Sequence, residues 1–295
     1  MQSKFFSEKS KKKGETLIVL IAIVSFIFHL LIIALVHFNI IQLNDASHLF
    51  RNPIAAIYTP FSFILVYEIY LLVYYLPKST TIYVGKQYEI MALIVIRKVF
   101  KDLSQLELTS DWFSKKPDME FLYDLLATLI LFFLIFVFYR LNEKKDELDE
   151  RKTEQSSDIT RFIKIKNIVA CILIPIFLGL SVYIFSQLLY ESFFSINQFV
   201  STFNKDVTRL FFNDFFTILI LTDVLLLLFS LLHTDKFRVV IRNSGYLIST
   251  ILLKLSFAVE GILNTELIVI AVLFGVAILA IHNTYLKIDR SKNYT

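Results

Sequence analysis

The sequence predicts an all-α membrane protein of about eight transmembrane helices, arranged as a tandem pair of four-helix bundles. Three observations carry this. Hydrophobic residues make up 56% of the 295 residues, with 6 Gly and 5 Pro, so the apolar runs are long and rarely broken. Those runs have the length a helix needs to cross a bilayer, and no series of short alternating strands suggests a barrel. Basic residues gather between alternate runs, as orientation in a membrane requires.

The elements follow in order. Residues 1–15 form a basic N-terminal segment, and the run at 16–41 is too long for a signal-peptide core and lacks a small-residue cleavage site, so it reads as an uncleaved first span. Further spans are expected at 57–76, 86–104, 119–141, 167–190, 210–232, 244–260 and 265–286, ending in a tail at 287–295. The third and seventh carry charge. In the third, Lys86, Glu89, Arg97 and Lys101 fall on one helical face, which also suits a helix lying flat in the interface. If it lay flat, the Lys/Arg-rich linker 142–166 would be exported. With eight spans, the outer loops hold only Arg51, Lys115, Lys116, Lys205 and Arg209. The third segment is therefore expected to cross, with both termini cytoplasmic.

The two halves, 16–141 and 167–286, match in short stretches. Phe61 to Leu65 leads to Glu68 as Phe216 to Ile220 leads to Asp223. Arg97 and Phe100 match Lys254 and Phe257, and Glu120 and Tyr139 bracket the fourth span as Glu266 and Tyr285 bracket the eighth. Four spans per half would make the repeats parallel. Counting at about 1.5 Å per residue puts Glu68 and Arg97 roughly 14–17 Å from the cytoplasmic surface, near mid-bilayer. Glu68 with Arg97, and Asp223 with Lys254, are thus expected as midplane acid–base pairs. They line an ion path or binding site, or they are internal salt bridges that fix helix register.

Secondary candidates surround them. Tyr67 and Tyr70 lie deep enough to need hydroxyl partners and would help solvate Glu68 or Arg97. Glu89 and Asp124 lie inside predicted spans. His29 and His37 stand two turns apart on the first span, about 80° apart around its axis. That gap is too wide for one metal ion, and interhelical hydrogen bonding is the expected role. Trp112 and 193–199 read as outer-interface anchors, and Pro175 as a kink.

No HExxH, Gly-x-Ser-x-Gly or P-loop occurs, and Tyr123-Asp124 has no Gly-x-Gly-Asp partner. The chain is expected not to be an enzyme and to need no cofactor or metal. Its single cysteine, Cys171, excludes an intrachain disulfide framework. The net charge of +4 is modest and lies beside the spans, which argues against nucleic-acid binding.

Tyr67-Glu68, then Pro77-Lys78 and the polar start of the next helix at Glu89, resemble the second–third helix hairpin of a voltage-sensor module of the ion-transport superfamily. The resemblance covers 63–97. Neither the fourth nor the eighth span carries arginines at every third position, and no selectivity filter is recognisable. What the resemblance implies is a four-helix bundle with internal charge pairs, without voltage sensing.

The leading expectation is an inner-membrane ion or small-solute transporter, or a channel-like pore, with Glu68, Arg97, Asp223 and Lys254 at its polar centre. The alternative is a non-transporting scaffold or sensing subunit that recruits a protein partner through the charged linker 142–166.

Overall fold

The computed structural model describes residues 8–40, 53–76, 79–105, 116–149, 164–173, 175–177, 179–180, 207–233 and 237–292. The linker at 150–163, Trp112, 193–199, Pro77, Lys78 and the side chain of Glu68 lie outside the described residues. Every regular element described is helical: α1 (Glu8–His37), a 3-10 turn (Pro53–Ile57), α2 (Tyr58–Tyr75), α3 (Thr80–Gln105) and α4 (Lys116–Asp149). After α5 (164–180, apart from 174 and 178) come α6 (Val207–His233), α7 (Phe237–Ser256) and α8 (Ile262–Lys292). One helix stands on each apolar run of the sequence.

The ends show why the runs stop where they do. At the end of α1, Asn39 takes a left-handed φ of 56°. The Ile40 N–H then bonds the Leu35 carbonyl at 3.0 Å and the Asn39 N–H bonds Val36 at 3.1 Å. This double closure satisfies carbonyls the helix leaves open, and asparagine is among the few residues that tolerate the conformation. α3 starts earlier than the apolar run suggests, because the polar stretch from Thr80 is still helical and the Tyr83 N–H reaches the Ser79 carbonyl at 3.0 Å. α7 stops at Ser256, short of the expected 260. Asn264 Nδ2 donates to the Ser256 carbonyl at 2.6 Å, and Gly261 turns the chain at φ 68°, where a Cβ would be strained.

Among the described residues, three helices are long and apolar enough to cross a membrane: Lys11–His37 in α1, Met119–Glu143 in α4 and Ile262–Ile288 in α8. On α4 and α8 the buried side mixes polar residues with apolar ones, while large apolar residues face outward. On α8 the buried positions Thr265, Ile268, Val272, Gly275, Leu279, His282 and Leu286 alternate at three and four residues, a strip that faces neighbouring helices. Leu263, Ile270, Leu273, Ile281 and Ile288 point outward. α4 does the same, burying Asp124, Thr128, Leu131, Phe138 and Asn142 while exposing Leu129, Phe132, Phe133 and Phe136. α1 is apolar on nearly every side and exposed along its length, from Leu17 and Leu20 to Phe28 and Leu31.

The chain divides into two compact units. One comprises residues 1–71, 92–128 and 185–205; the other comprises 72–91, 129–184 and 206–295. In the first, α1 lies against the 3-10 turn and the start of α2. His29 Nδ1 and Thr59 Oγ1 share a hydrogen bond, and the Tyr67 hydroxyl approaches the Lys11 carbonyl at 3.5 Å.

In the second unit the helices alternate in direction. Lys166 meets Thr80, so the starts of α3 and α5 lie together. Asn283 Nδ2 donates to the Leu141 carbonyl at 2.8 Å, which joins late parts of α4 and α8. His282 Nδ1 donates to the Arg238 carbonyl at 3.2 Å, so α8 ends beside the start of α7. Among the described elements, α7 and α8 make the most extensive contact. Phe177, Phe215, Phe216 and Phe257 fill the space between α5, α6 and α7 in a chain of ring contacts with centroids 4.6–5.4 Å apart.

Candidate functional site

The second unit holds a cavity of about 40 Å³, walled by α3, α6 and α7 with Lys166 of α5. Asp223 of α6 reaches it from a helix otherwise rich in Leu and Phe. Gln87 Nε2 donates to Asp223 Oδ2 at 3.3 Å, and the Thr250 hydroxyl donates to Gln87 Oε1 at 2.9 Å. The amide thus relays between α7 and α6, with both its ends occupied. Gln87 lies about 10 Å along α3 and Thr250 about 20 Å along α7, so the acid sits well inside the helices.

Lys166 closes the cavity from α5. It is 5% exposed, on a strip with Ala170, Leu173 and Phe177 that faces inward. Its Nζ donates to Thr80 Oγ1 at 3.2 Å. Arg242 and Asp223 are both near enough for their charges to act on it. Burial, then the positive charge of Arg242, pushes its ammonium down to about 8, against a smaller upward pull from Asp223. Arg242 in turn holds Asn243 Oδ1 through Nε at 3.3 Å and Nη2 at 3.1 Å.

Two tyrosines complete the wall. The hydroxyl of Tyr83 is turned towards Asp223 and Gln87 but closes a hydrogen bond with neither. The hydroxyl of Tyr246 faces Thr81 in the same way, and both residues are 2% exposed. Buried hydroxyls without partners are costly, and here both border a space large enough for small polar molecules.

Behind this cavity lies a second polar bridge. Ser249 Oγ donates to the Ala271 carbonyl at 2.7 Å, which leaves Tyr88 as the donor in the 2.8 Å bond between Tyr88 and Ser249. Tyr88 lies over Gly275, where a Cβ would stand 1.6 Å from the hydroxyl.

The residues singled out from the sequence fall in several places. Asp223 is in the cavity wall, bonded by Gln87, with the Tyr83 hydroxyl turned towards it and Lys166 near enough for its charge to act; Lys254, one turn beyond Thr250 on α7, is not among its described contacts. Arg97 is partly buried on α3, and Glu68 is on α2. Asp124, 1% exposed, pairs with Lys98 at 2.8 Å. Glu89 is bound by Lys86 and by the Tyr139 hydroxyl, while Lys86 also lies 5.5 Å from the Tyr75 ring centre. Tyr67 and Tyr70 stack on one another with centroids 6.0 Å apart. His29 bonds Thr59, and His37 packs edge-on against Phe38.

Sequence reasoning missed Gln87, Tyr83, Tyr246, Lys98 and Lys166. Lys98 and Lys166 were visible as charges, Lys166 only as part of a basic linker. The uncharged three gave no signal, because a lone Gln or Tyr near the end of a span fits an interfacial role. Comparison of the chain with protein-family models, with curated proteins and with solved structures finds no match.

Proposed function

We propose that this chain is an integral membrane protein of the inner membrane that carries or admits a small ion or solute, with the cavity at Asp223 as its binding point. The observation that carries the reading is an acid and a base, Asp223 and Lys166, in the wall of one partly open cavity, beside tyrosine hydroxyls that close no hydrogen bond. A purely structural ion pair would close on itself and leave no space. The outward faces of α4 and α8 support the membrane setting: Leu, Ile and Phe stand exposed along both helices while Asp124, Thr128, Asn142 and His282 are buried, an apolar surface that water would not tolerate over such an area.

On this reading all eight helices cross, in two four-helix bundles, with both termini cytoplasmic. Glu68 with Arg97 is the corresponding candidate in the first half, on the sequence repeat alone. The test is flux through proteoliposomes made with the purified full chain. Asp223→Asn, which keeps size and hydrogen bonding, is expected to change the rate or its pH dependence while the melting temperature stays near that of the parent. Glu68→Gln is the parallel variant. Unchanged flux in both variants, with transport itself demonstrated, removes these acids from the path.

A second reading has one observation behind it. α4 continues as helix to Asp149, past the apolar run that ends near 141, and carries charged residues from Glu143 onward. Such a projecting helix suits a scaffold that docks a protein partner at 142–166. A co-purifying partner lost on charge reversal there, in a protein without flux, is the result that selects it.

A further inference from the structure

α1 has two sides of different chemistry. Lys11, Gly14, Ile18, Ala22, Ser25 and His29 recur at three and four residues, and each is partly or fully buried. This is the side that packs. The Tyr67 hydroxyl approaches the Lys11 carbonyl, the Tyr67 ring lies 3.8 Å from where a Cβ on Gly14 would stand, and His29 bonds Thr59. On the far side the same spacing gives Lys13, Leu17, Leu20, Val24, Ile27 and Leu31, whose apolar members are 51–59% exposed. Lys12, also exposed, stands beside Lys13 at the head of this strip. Glu15, exposed as well, lies on the flank nearer Lys12, which leaves Lys13 the stronger attraction for an anion.

We infer that the outward face of α1 binds an anionic phospholipid of the leaflet at its basic end. Lys12 and Lys13 hold the phosphate, and an acyl chain lies along Leu17, Leu20 and Val24. The dimensions agree. Lys13 to Val24 spans roughly 16 Å at about 1.5 Å per residue, half of a hydrocarbon layer of about 30 Å, so the strip to Val24 matches one leaflet. Lysines at the end of a span reach the headgroups with their charge while their stems stay in apolar surroundings. A second protein helix fits this face less well. Membrane helices associate closely through small residues, and Gly14, Ala22 and Ser25 are all on the packed side, whereas the outward strip carries Leu, Val and Ile. The inference rests on the membrane setting proposed above and is independent of transport.

The test uses the full chain with Cys171→Ser and a fluorophore attached at Leu20→Cys. It is reconstituted in vesicles of equal parts phosphatidylcholine and phosphatidylglycerol, with bromine on the acyl chains of one lipid or the other. Brominated chains quench the label on contact. Brominated phosphatidylglycerol is expected to quench more strongly, with an apparent preference of about fivefold, the effect of one lysine charge at a membrane surface. Raising the salt should narrow the difference, because these charges are exposed. Lys12→Gln with Lys13→Gln is expected to bring the two lipids level, and Lys12→Arg with Lys13→Arg to keep the preference. Equal quenching by both lipids in the parent overturns the inference and leaves α1 in the membrane. A preference untouched by the paired Gln variant overturns it too, by placing the selectivity elsewhere. Quenching by neither lipid means that lipid does not cover this face, and removes the membrane setting of α1 together with the site.

Discussion

Lys98 of α3 and Asp124 of α4 form an ion pair at 2.8 Å that is unequal in its access to solvent, with side-chain exposures of 29% and 1%. The acid is enclosed by the helices, while the lysine can extend its chain towards a polar region.

Breaking this pair should therefore cost different amounts from its two sides. Lys98→Met takes the cation away from a buried carboxylate and is expected to destabilise by about 3 kcal/mol; Asp124→Asn should cost clearly less. The double variant Lys98→Met with Asp124→Asn should recover most of the loss, since no buried charge remains. Melting temperatures of the four proteins form the double-mutant cycle. Equal costs from both sides would mean that Lys98 is as confined as its partner.

Gly275 is the position where Tyr88 requires the absence of a side chain. Tyr88 is fully buried and held by Ser249, so it cannot swing away from a Cβ placed 1.6 Å from its hydroxyl. Gly275→Ala is expected to destabilise by about 1–3 kcal/mol through overpacking. Tyr88→Leu in the same background should return part of that loss. If Gly275→Ala is neutral in thermal unfolding, the close approach of α8 to Tyr88 is not as described.

Lys166 gives the fold a pH dependence with a definite sign. Its folded-state value is about 8, below the roughly 10.4 of an unfolded lysine, so the unfolded chain binds more protons between these limits. Stability should be flat below about pH 8 and rise as pH increases from 8 towards 10, by at most about 3 kcal/mol on this account. The groups that act on it are Arg242 and Asp223, the first lowering its value and the second raising it. Lys166→Met should lack this rise when both proteins are melted across the range, and a parallel pair of curves would contradict it.

The eight-span arrangement can be tested without any functional assay. In a Cys171→Ser background, single cysteines at Lys116 or Lys205 should react with an impermeant maleimide on intact cells. Cysteines at Glu154 or Asp235 should react only after permeabilisation. Labelling of Glu154→Cys from outside would show that α3 does not cross, and would reverse the second half.

Much of the helical layout was legible because length and apolarity decide it. Each apolar run became a helix, including the charged third and seventh. The errors sit at the ends, where local polar chemistry takes over: Ser79 and Thr80 extend α3 backward, while Asn264 and Gly261 cut α7 at Ser256. The site was legible only by charge. Asp223 stood out in a run of leucines, but its surroundings did not. Spacing within one half nominated Lys254, whereas the long side chain of Lys166, from the end of a helix remote in sequence, occupies the cavity wall. Which side chains line a cavity depends on helix rotation and packing, and a single sequence does not encode that in its spacing.

The length of the exposed apolar helices has a further consequence. The spans in α1, α4 and α8 run to 27, 25 and 27 residues, or roughly 37–40 Å at about 1.5 Å per residue. A bilayer of about 40–45 Å including its headgroups matches them, and the charged ends, Lys11 to Lys13 on α1 and Glu143 on α4, would then stand among the headgroups. Only 11% of the α1 window is buried, so lipid would meet its apolar part along the whole length, and acyl-chain length would act on its tilt.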